Sequence, residues 1–137
     1  MGKSHGGRAK NPLRLLGDLE LEVMKVLWNK GEATGKEAWE DIRALRKTAL
    51  TTVLTVLERL STKGFVRRFR NEGVYIYTPS VSREDYTREV SGRMLKDYMD
   101  LSSSSLMASF IDALDDVSDD EVEKLSRLIE KKRKERG

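Results

Sequence analysis

The run from Lys47 to Pro79, KTALTTVLTVLERLSTKGFVRRFRNEGVYIYTP, constrains this chain more than any other stretch. Leu50, Val53, Leu54, Val56, Leu57 and Leu60 recur at helical spacing. At about 100° per residue they cover one broad arc of a helix. Thr51, Thr52, Thr55, Glu58, Arg59 and Thr62 fall on the opposite arc. Thr48 is the expected N-cap. Gly64 suits the left-handed position just past a helix end, where it lets Phe65 pack back on Leu60. A hairpin follows: strand Phe65–Arg70, an expected three-residue loop Asn71-Glu72-Gly73, and strand Val74–Tyr77.

Two shorter helices are predicted upstream. Asp18 can cap the first, in which Leu19, Val23, Val26 and Leu27 keep helical spacing, and Gly31 ends it. Thr34 to Glu37 reads as a capping box opening the second, with Ala38, Trp39, Ile42 and Leu45 as its buried stripe. Trp28 and Trp39 sit within apolar stripes, which makes them core residues. Three helices, the third two-faced and followed by a basic hairpin, are the parts of a winged helix-turn-helix. The fold class is therefore mainly α with a small β-hairpin wing. Residues 1–16, rich in glycine and basic side chains and holding the one histidine, His5, are expected to form a flexible basic arm. Residues 17–80 form the winged-helix domain.

Residues 81–137 are expected to fold as three short amphipathic helices: one opened by Ser82 to Asp85, one from Leu106 to Leu114 after a break at Ser102–Ser105, and one opened by Ser118 to Glu121. Three such helices bury too little by themselves, so pairing with a second copy is expected. Tyr86, Val90, Met94, Tyr98, Leu106, Phe110, Ile111, Leu125 and Leu128 are the candidate shared core of a homodimer.

Charge separates along the chain. The net charge of +3 divides into +6 for residues 1–80 (15 basic, 9 acidic) and −3 for residues 81–137 (11 basic, 14 acidic). The front part would attract a polyanion. Threonine hydroxyls can bond to base edges and their methyls can meet the thymine methyl, so Thr51, Thr52 and Thr55 are the candidate base-reading residues. Lys47, Thr48, Arg59, Lys63, Arg67, Arg68 and Arg70 are the candidate contacts to the DNA backbone, with Arg68 and Arg70 on one side of their strand. The competing readings are a solvated helix face for the threonines and a charge-protected edge strand for the arginines.

Catalysis has no foothold: no acid/base pair, activated nucleophile, phosphate-cradling loop or metal cluster can be assembled, and no cofactor is implied. The acidic run Asp115–Glu121 lacks the ligand alternation of a calcium loop and suits a helix N-terminus; Lys131–Lys134 suits a helix C-terminus. With no cysteine, no signal peptide and no apolar run long enough to span a bilayer, a reducing, cytoplasmic setting is expected.

Three segments carry a resemblance: LGDLELEVMKVLW (Leu16–Trp28), TTVLTVLERLSTKG (Thr51–Gly64) and the YxYTP pattern of Tyr75–Pro79. In them the chain resembles the penicillinase-repressor family of BlaI/MecI type, in its actinobacterial branch. The resemblance implies a homodimeric transcriptional repressor that binds a palindromic operator in double-stranded DNA, ahead of genes of the β-lactamase or stress-response type. In some relatives a membrane metalloprotease system leads to cleavage at an Asn-Phe bond. The matching pair here is Ser109-Phe110, which leaves a regulatory protease an open question. Copper sensing through C-terminal cysteines is excluded, since there are none. A winged-helix protein-interaction module and a nonspecific architectural DNA binder remain the alternatives.

Overall fold

The structure is a computed structural model that describes residues 15–137; most of the basic arm, His5 included, lies outside the described residues. Helix α1 spans Asp18–Lys30, strand β1 Ala33–Thr34, helix α2 Gly35–Arg43 and helix α3 Leu50–Thr62. Strands β2 (Val66–Asn71) and β3 (Val74–Pro79) follow, then helix α4 (Arg83–Ala113), a 3₁₀ turn (Leu114–Asp116) and helix α5 (Asp119–Arg136). The three strands form an antiparallel sheet in the order β1-β3-β2, with Ala33 opposite Tyr77 and Arg68 also opposite Tyr77 from the other edge.

Helix α3 takes the two-faced form its spacing predicts. Val53, Val56, Leu57 and Leu60 are buried, each burial stabilising the fold by roughly 1.5–3 kcal/mol relative to exposure. The arc is narrower than expected, since Leu50 is half-buried and Leu54 partly exposed. Leu54 lies along α2 instead, filling the space that a Cβ on Gly35 would need. At the other end Gly64 has φ +90°, the Phe65 amide donates to the Leu60 carbonyl at 2.9 Å, and the Gly64 amide donates to the Ser61 carbonyl at 3.2 Å. These are the paired bonds of a Schellman ending, and they seat buried Phe65 in the core.

Several boundaries differ from the sequence reading. The N-cap of α1 is Gly17, not Asp18; Asp18 occupies the first helical position, and the Glu20 carboxylate accepts the Gly17 amide at 3.1 Å. Leu16 is a buried core residue and not part of the arm. The capping box of α2 is present as expected: the Thr34 hydroxyl accepts the Glu37 amide and the Glu37 carboxylate accepts the Thr34 amide. Leu45, however, lies beyond that helix and is exposed, leaving Ala38 and Ile42 as the buried members of the expected stripe. Helix α3 is capped by Ala49 and not by Thr48, which the indole of Trp39 holds outside the helix by donating to its carbonyl at 2.8 Å.

The hairpin loop has two residues, not three. Asn71 pairs with Val74 as the last rung, and Glu72 and Gly73 turn the chain with φ of 53° and 81°. Two successive positive φ angles are the mark of a type I′ turn, whose twist matches that of its strands. That match holds Glu72 in a region that side chains other than glycine seldom adopt.

The largest correction concerns Tyr86 and Val90. Both are buried in the same core as α1 and α3, and so do not belong to a shared dimer surface. The Tyr86 hydroxyl accepts the Leu16 amide at 3.0 Å, and its ring lies 5.8 Å from that of Trp28 and 6.1 Å from that of Phe65. Trp28 adds a bond from its indole to the Val81 carbonyl at 2.8 Å. The first turns of α4 therefore complete the winged-helix core. The chain accordingly divides between Ser91 and Gly92, later than the expected boundary at residue 80.

The C-terminal region keeps the expected break in the serine stretch: Arg83–Ala113 is two helical segments joined at a kink, whose one non-helical residue is Ser102, at φ −166° and ψ 102°. The second segment begins ahead of the expected start at Leu106. Ser102 breaks the helix and restarts it, its hydroxyl accepting the Ser105 amide at 3.2 Å. Ser82 and Ser118 act as the predicted caps, accepting the amides of Asp85 and Glu121.

Replacing Tyr86 with Phe keeps the ring and removes the acceptor for the buried Leu16 amide. Tyr86→Phe should destabilise the winged-helix unit by about 1–3 kcal/mol in urea unfolding; an unchanged midpoint would place that hydroxyl outside the core's hydrogen bonding.

Candidate nucleic-acid interface

Helices α2 and α3 form a helix-turn-helix, and its turn is held from both sides. The Leu45 and Arg46 amides donate to the Ile42 carbonyl, at 2.9 and 3.0 Å, and the Trp39 indole clamps Thr48. The Arg43 guanidinium lies 4.4 Å from the centre of the Trp39 ring. Trp39 is thus more than a core residue. It fixes where the third helix starts, a role that apolar periodicity could not disclose because it depends on the indole N–H.

The three candidate reading residues, Thr51, Thr52 and Thr55, are all exposed on α3, turned away from its buried stripe. They are not equivalent. The Thr55 hydroxyl donates to the Thr51 carbonyl at 3.0 Å, so its proton is committed to its own helix while its oxygen keeps both lone pairs as an acceptor. No such internal bond is present for the hydroxyls of Thr51 and Thr52. Glu58, Arg59 and Thr62 share the exposed arc.

Among the candidate backbone contacts, Lys47 and Arg59 are exposed, and Thr48 is half-buried with its carbonyl taken by Trp39. Lys63 is exposed but paired: its ammonium donates to the Glu20 carboxylate at 2.8 Å. Arg68 and Arg70 lie on one face of β2, as alternation requires, and Arg67 lies on the other. The guanidinium carbons of Arg68 and Arg70 sit 4.3 and 4.9 Å from the centre of the Tyr75 ring, and Arg70 also donates to the Gly73 carbonyl at 3.1 Å. Tyr75 escaped the sequence reading as a site residue. Its position directly opposite Arg70 depends on the two-residue loop, and a three-residue loop shifts that register.

A family model described as the penicillinase repressor matches residues 16–131. The chain belongs to the penicillinase repressor family. Among its relatives, the transcriptional regulator BlaI of Mycobacterium tuberculosis is 34% identical over 118 residues, covering 85% of this chain and 84% of that protein. The penicillinase repressor of Bacillus licheniformis is 28% identical over 115 residues, covering 84% of this chain and 89% of that protein. A solution structure of the DNA binding domain of the repressor BlaI is 32% identical, with a TM-score of 0.49, and covers 56% of this chain and 92% of that one.

The remaining residues expected in a dimer surface of this repressor-family chain lie in the unit Gly92–Gly137. Tyr98, Phe110, Ile111 and Leu128 are about half exposed or more, Met94 is 39% exposed, and Leu106 and Leu125 are half-buried. Ser109 and Phe110, the pair matching the relatives' cleavage position, are exposed within α4. Among the described residues no helix is long and apolar enough to cross a membrane, and no group of three or more histidine, cysteine or acidic side chains could hold a metal ion.

Glu20 joins the start of α1 to the end of α3, and its carboxyl is held below the ordinary value of 4.5. The hydrogen bond from Lys63 is the main cause; partial burial opposes it, and the Gly17 amide and the charges of Lys63 and Arg59 add to it. A carboxyl lowered in the folded state contributes stability that is fully present above 4.5 and is lost as the pH falls through the lowered folded value. Glu20→Gln should therefore be less stable than the parent at neutral pH, and the difference should vanish in strong acid. Urea midpoints taken across that range check it; a gap that persists in acid would show that the pair contributes nothing through ionisation.

Proposed function

We propose that this chain is a sequence-specific transcriptional repressor that binds a palindromic operator in double-stranded DNA as a homodimer and blocks a promoter by occupying it. The observation that carries this reading is the outward threonine face of α3, held against a core by the opposite face of the same helix. Short hydroxyl-bearing side chains let a helix lie close to base edges in the major groove. The basic wing and Arg59 supply contacts to the phosphates, which set register and orientation and carry no sequence information. Membership of the repressor family and the names of its relatives, a transcriptional regulator and a penicillinase repressor, point the same way.

Dimerisation follows from the uncovered apolar side chains of residues 92–137. Tyr98, Phe110, Ile111 and Leu128 bury little in a single chain, and a second copy offers matching surface. A two-fold dimer places two reading helices on half-sites one helical turn, or a multiple of it, apart. Operator symmetry then mirrors protein symmetry.

Occlusion needs no chemistry, so the tests are of binding. A dimer making ~6–10 phosphate contacts should lose ~10³–10⁵ in operator affinity between about 50 and 200 mM salt. Fluorescence anisotropy at several salt concentrations checks this, and a flat response would sink the reading. Thr52→Val should cost about 1–3 kcal/mol on the preferred sequence and relax preference at one base position. Thr55→Val should cost less than Thr52→Val, because the Thr55 proton already serves the Thr51 carbonyl. Phe110→Asp should shift sedimentation toward the monomer and weaken binding to a full palindrome while leaving half-site binding in place.

A further inference from the structure

The wing holds an arrangement that phosphate contact alone does not require. Arg68 and Arg70 converge on one ring, that of Tyr75, with guanidinium carbons 4.3 and 4.9 Å from its centre. Like charges two residues apart on one face of a strand repel, so two arginines free in solvent would splay apart. The aromatic face offsets that repulsion by attracting both cations to one place. Arg70 has a second restraint in its bond to the Gly73 carbonyl at 3.1 Å. The type I′ turn makes this possible, because it sets Tyr75 opposite Arg70 and Tyr77 opposite Arg68.

A guanidinium held over an aromatic ring can keep its in-plane N–H donors for other partners. Those are the donors a phosphate oxygen takes. Tyr77 on the same strand is buried, whereas Tyr75 is 37% exposed and is not part of the core.

We propose that Tyr75 is a positioning residue for DNA binding: its ring pre-orders Arg68 and Arg70 as a paired clamp for neighbouring phosphates of one strand. This rests on the DNA-binding reading above. Without the ring, both long side chains must be ordered at the moment of binding, which weakens affinity without removing a charge. Tyr75→Leu should therefore lower affinity for a random-sequence duplex about 5- to 30-fold. The salt slope should stay near that of the parent, because both cations still reach their phosphates. Arg68→Ala, in contrast, should reduce that slope by about 0.9.

The decisive experiment is a cycle in full-length protein: Tyr75→Leu and Tyr75→Phe, each alone and combined with Arg68→Ala plus Arg70→Ala. Phe keeps the ring and should bind like the parent. The Leu penalty should disappear once both arginines are gone, and the urea midpoint should move little. A Leu variant that binds like the parent would overturn the proposal. So would a penalty that persists without the arginines, since Tyr75 would then touch DNA itself or support the fold. If the parent shows no salt-dependent binding to any duplex, the DNA-binding reading fails and takes the clamp with it; parent binding with an unaffected Leu variant removes the clamp alone.

Discussion

The burial of one side of α3 is the constraint on which the rest of the molecule depends. Val53, Val56, Leu57 and Leu60 leave the helix no freedom to rotate about its axis, since any rotation would expose aliphatic surface and bury threonine hydroxyls. Both ends are fixed as well. Trp39 clamps Thr48, the residue ahead of the Ala49 cap, through its backbone carbonyl, and the Schellman bonds at Gly64 drive Phe65 into the core just past the other end. The orientation of the threonine face is thus a by-product of packing on the other side. No contact made by the threonines themselves is needed to aim them.

The same packing organises the residues around it. Phe65 meets Tyr86, and Tyr86 meets Trp28 and the Leu16 amide, so elements distant in sequence close on one aromatic cluster. The wing leaves that cluster at Val66 and Tyr77, both buried, and carries its charges beyond it. Rigid attachment at the base and cation–aromatic order nearer the tip give a loop-sized element a defined shape. For a phosphate-binding element this matters, because ordering long side chains during association detracts from affinity.

Much of this was legible in the residues. The two-faced periodicity of α3, the Thr34–Glu37 capping box, the Gly64 ending and the serine caps at Ser82 and Ser118 all follow from local rules, and each is present. The errors have a common origin. Tyr86 and Val90 keep helical spacing with Met94 and Tyr98, and periodicity reports that a face is buried without saying against what. Trp28, Phe65 and Leu16 decide it, and they are remote in sequence. The hairpin loop was misjudged by one residue, because Asn71-Glu72-Gly73 suits either loop length until strand register selects one. That single step also hid Tyr75, whose place opposite Arg70 exists only in the shorter loop. Thr48 failed as a cap for a similar reason: an indole nine positions earlier in sequence had already engaged its backbone.

The bridge between Lys63 and Glu20 bears on how many of this chain's cations a polyanion can use. Lys63 stands at the end of α3 among the residues that invite a phosphate, yet its charge is already matched by a carboxylate of the same molecule. To serve DNA it would have to abandon that partner and leave Glu20, half-buried, facing a field of its own sign. A tally of lysines and arginines therefore overstates the attraction available here, and the working surplus is set by which ammonium groups remain unspent after the fold has closed.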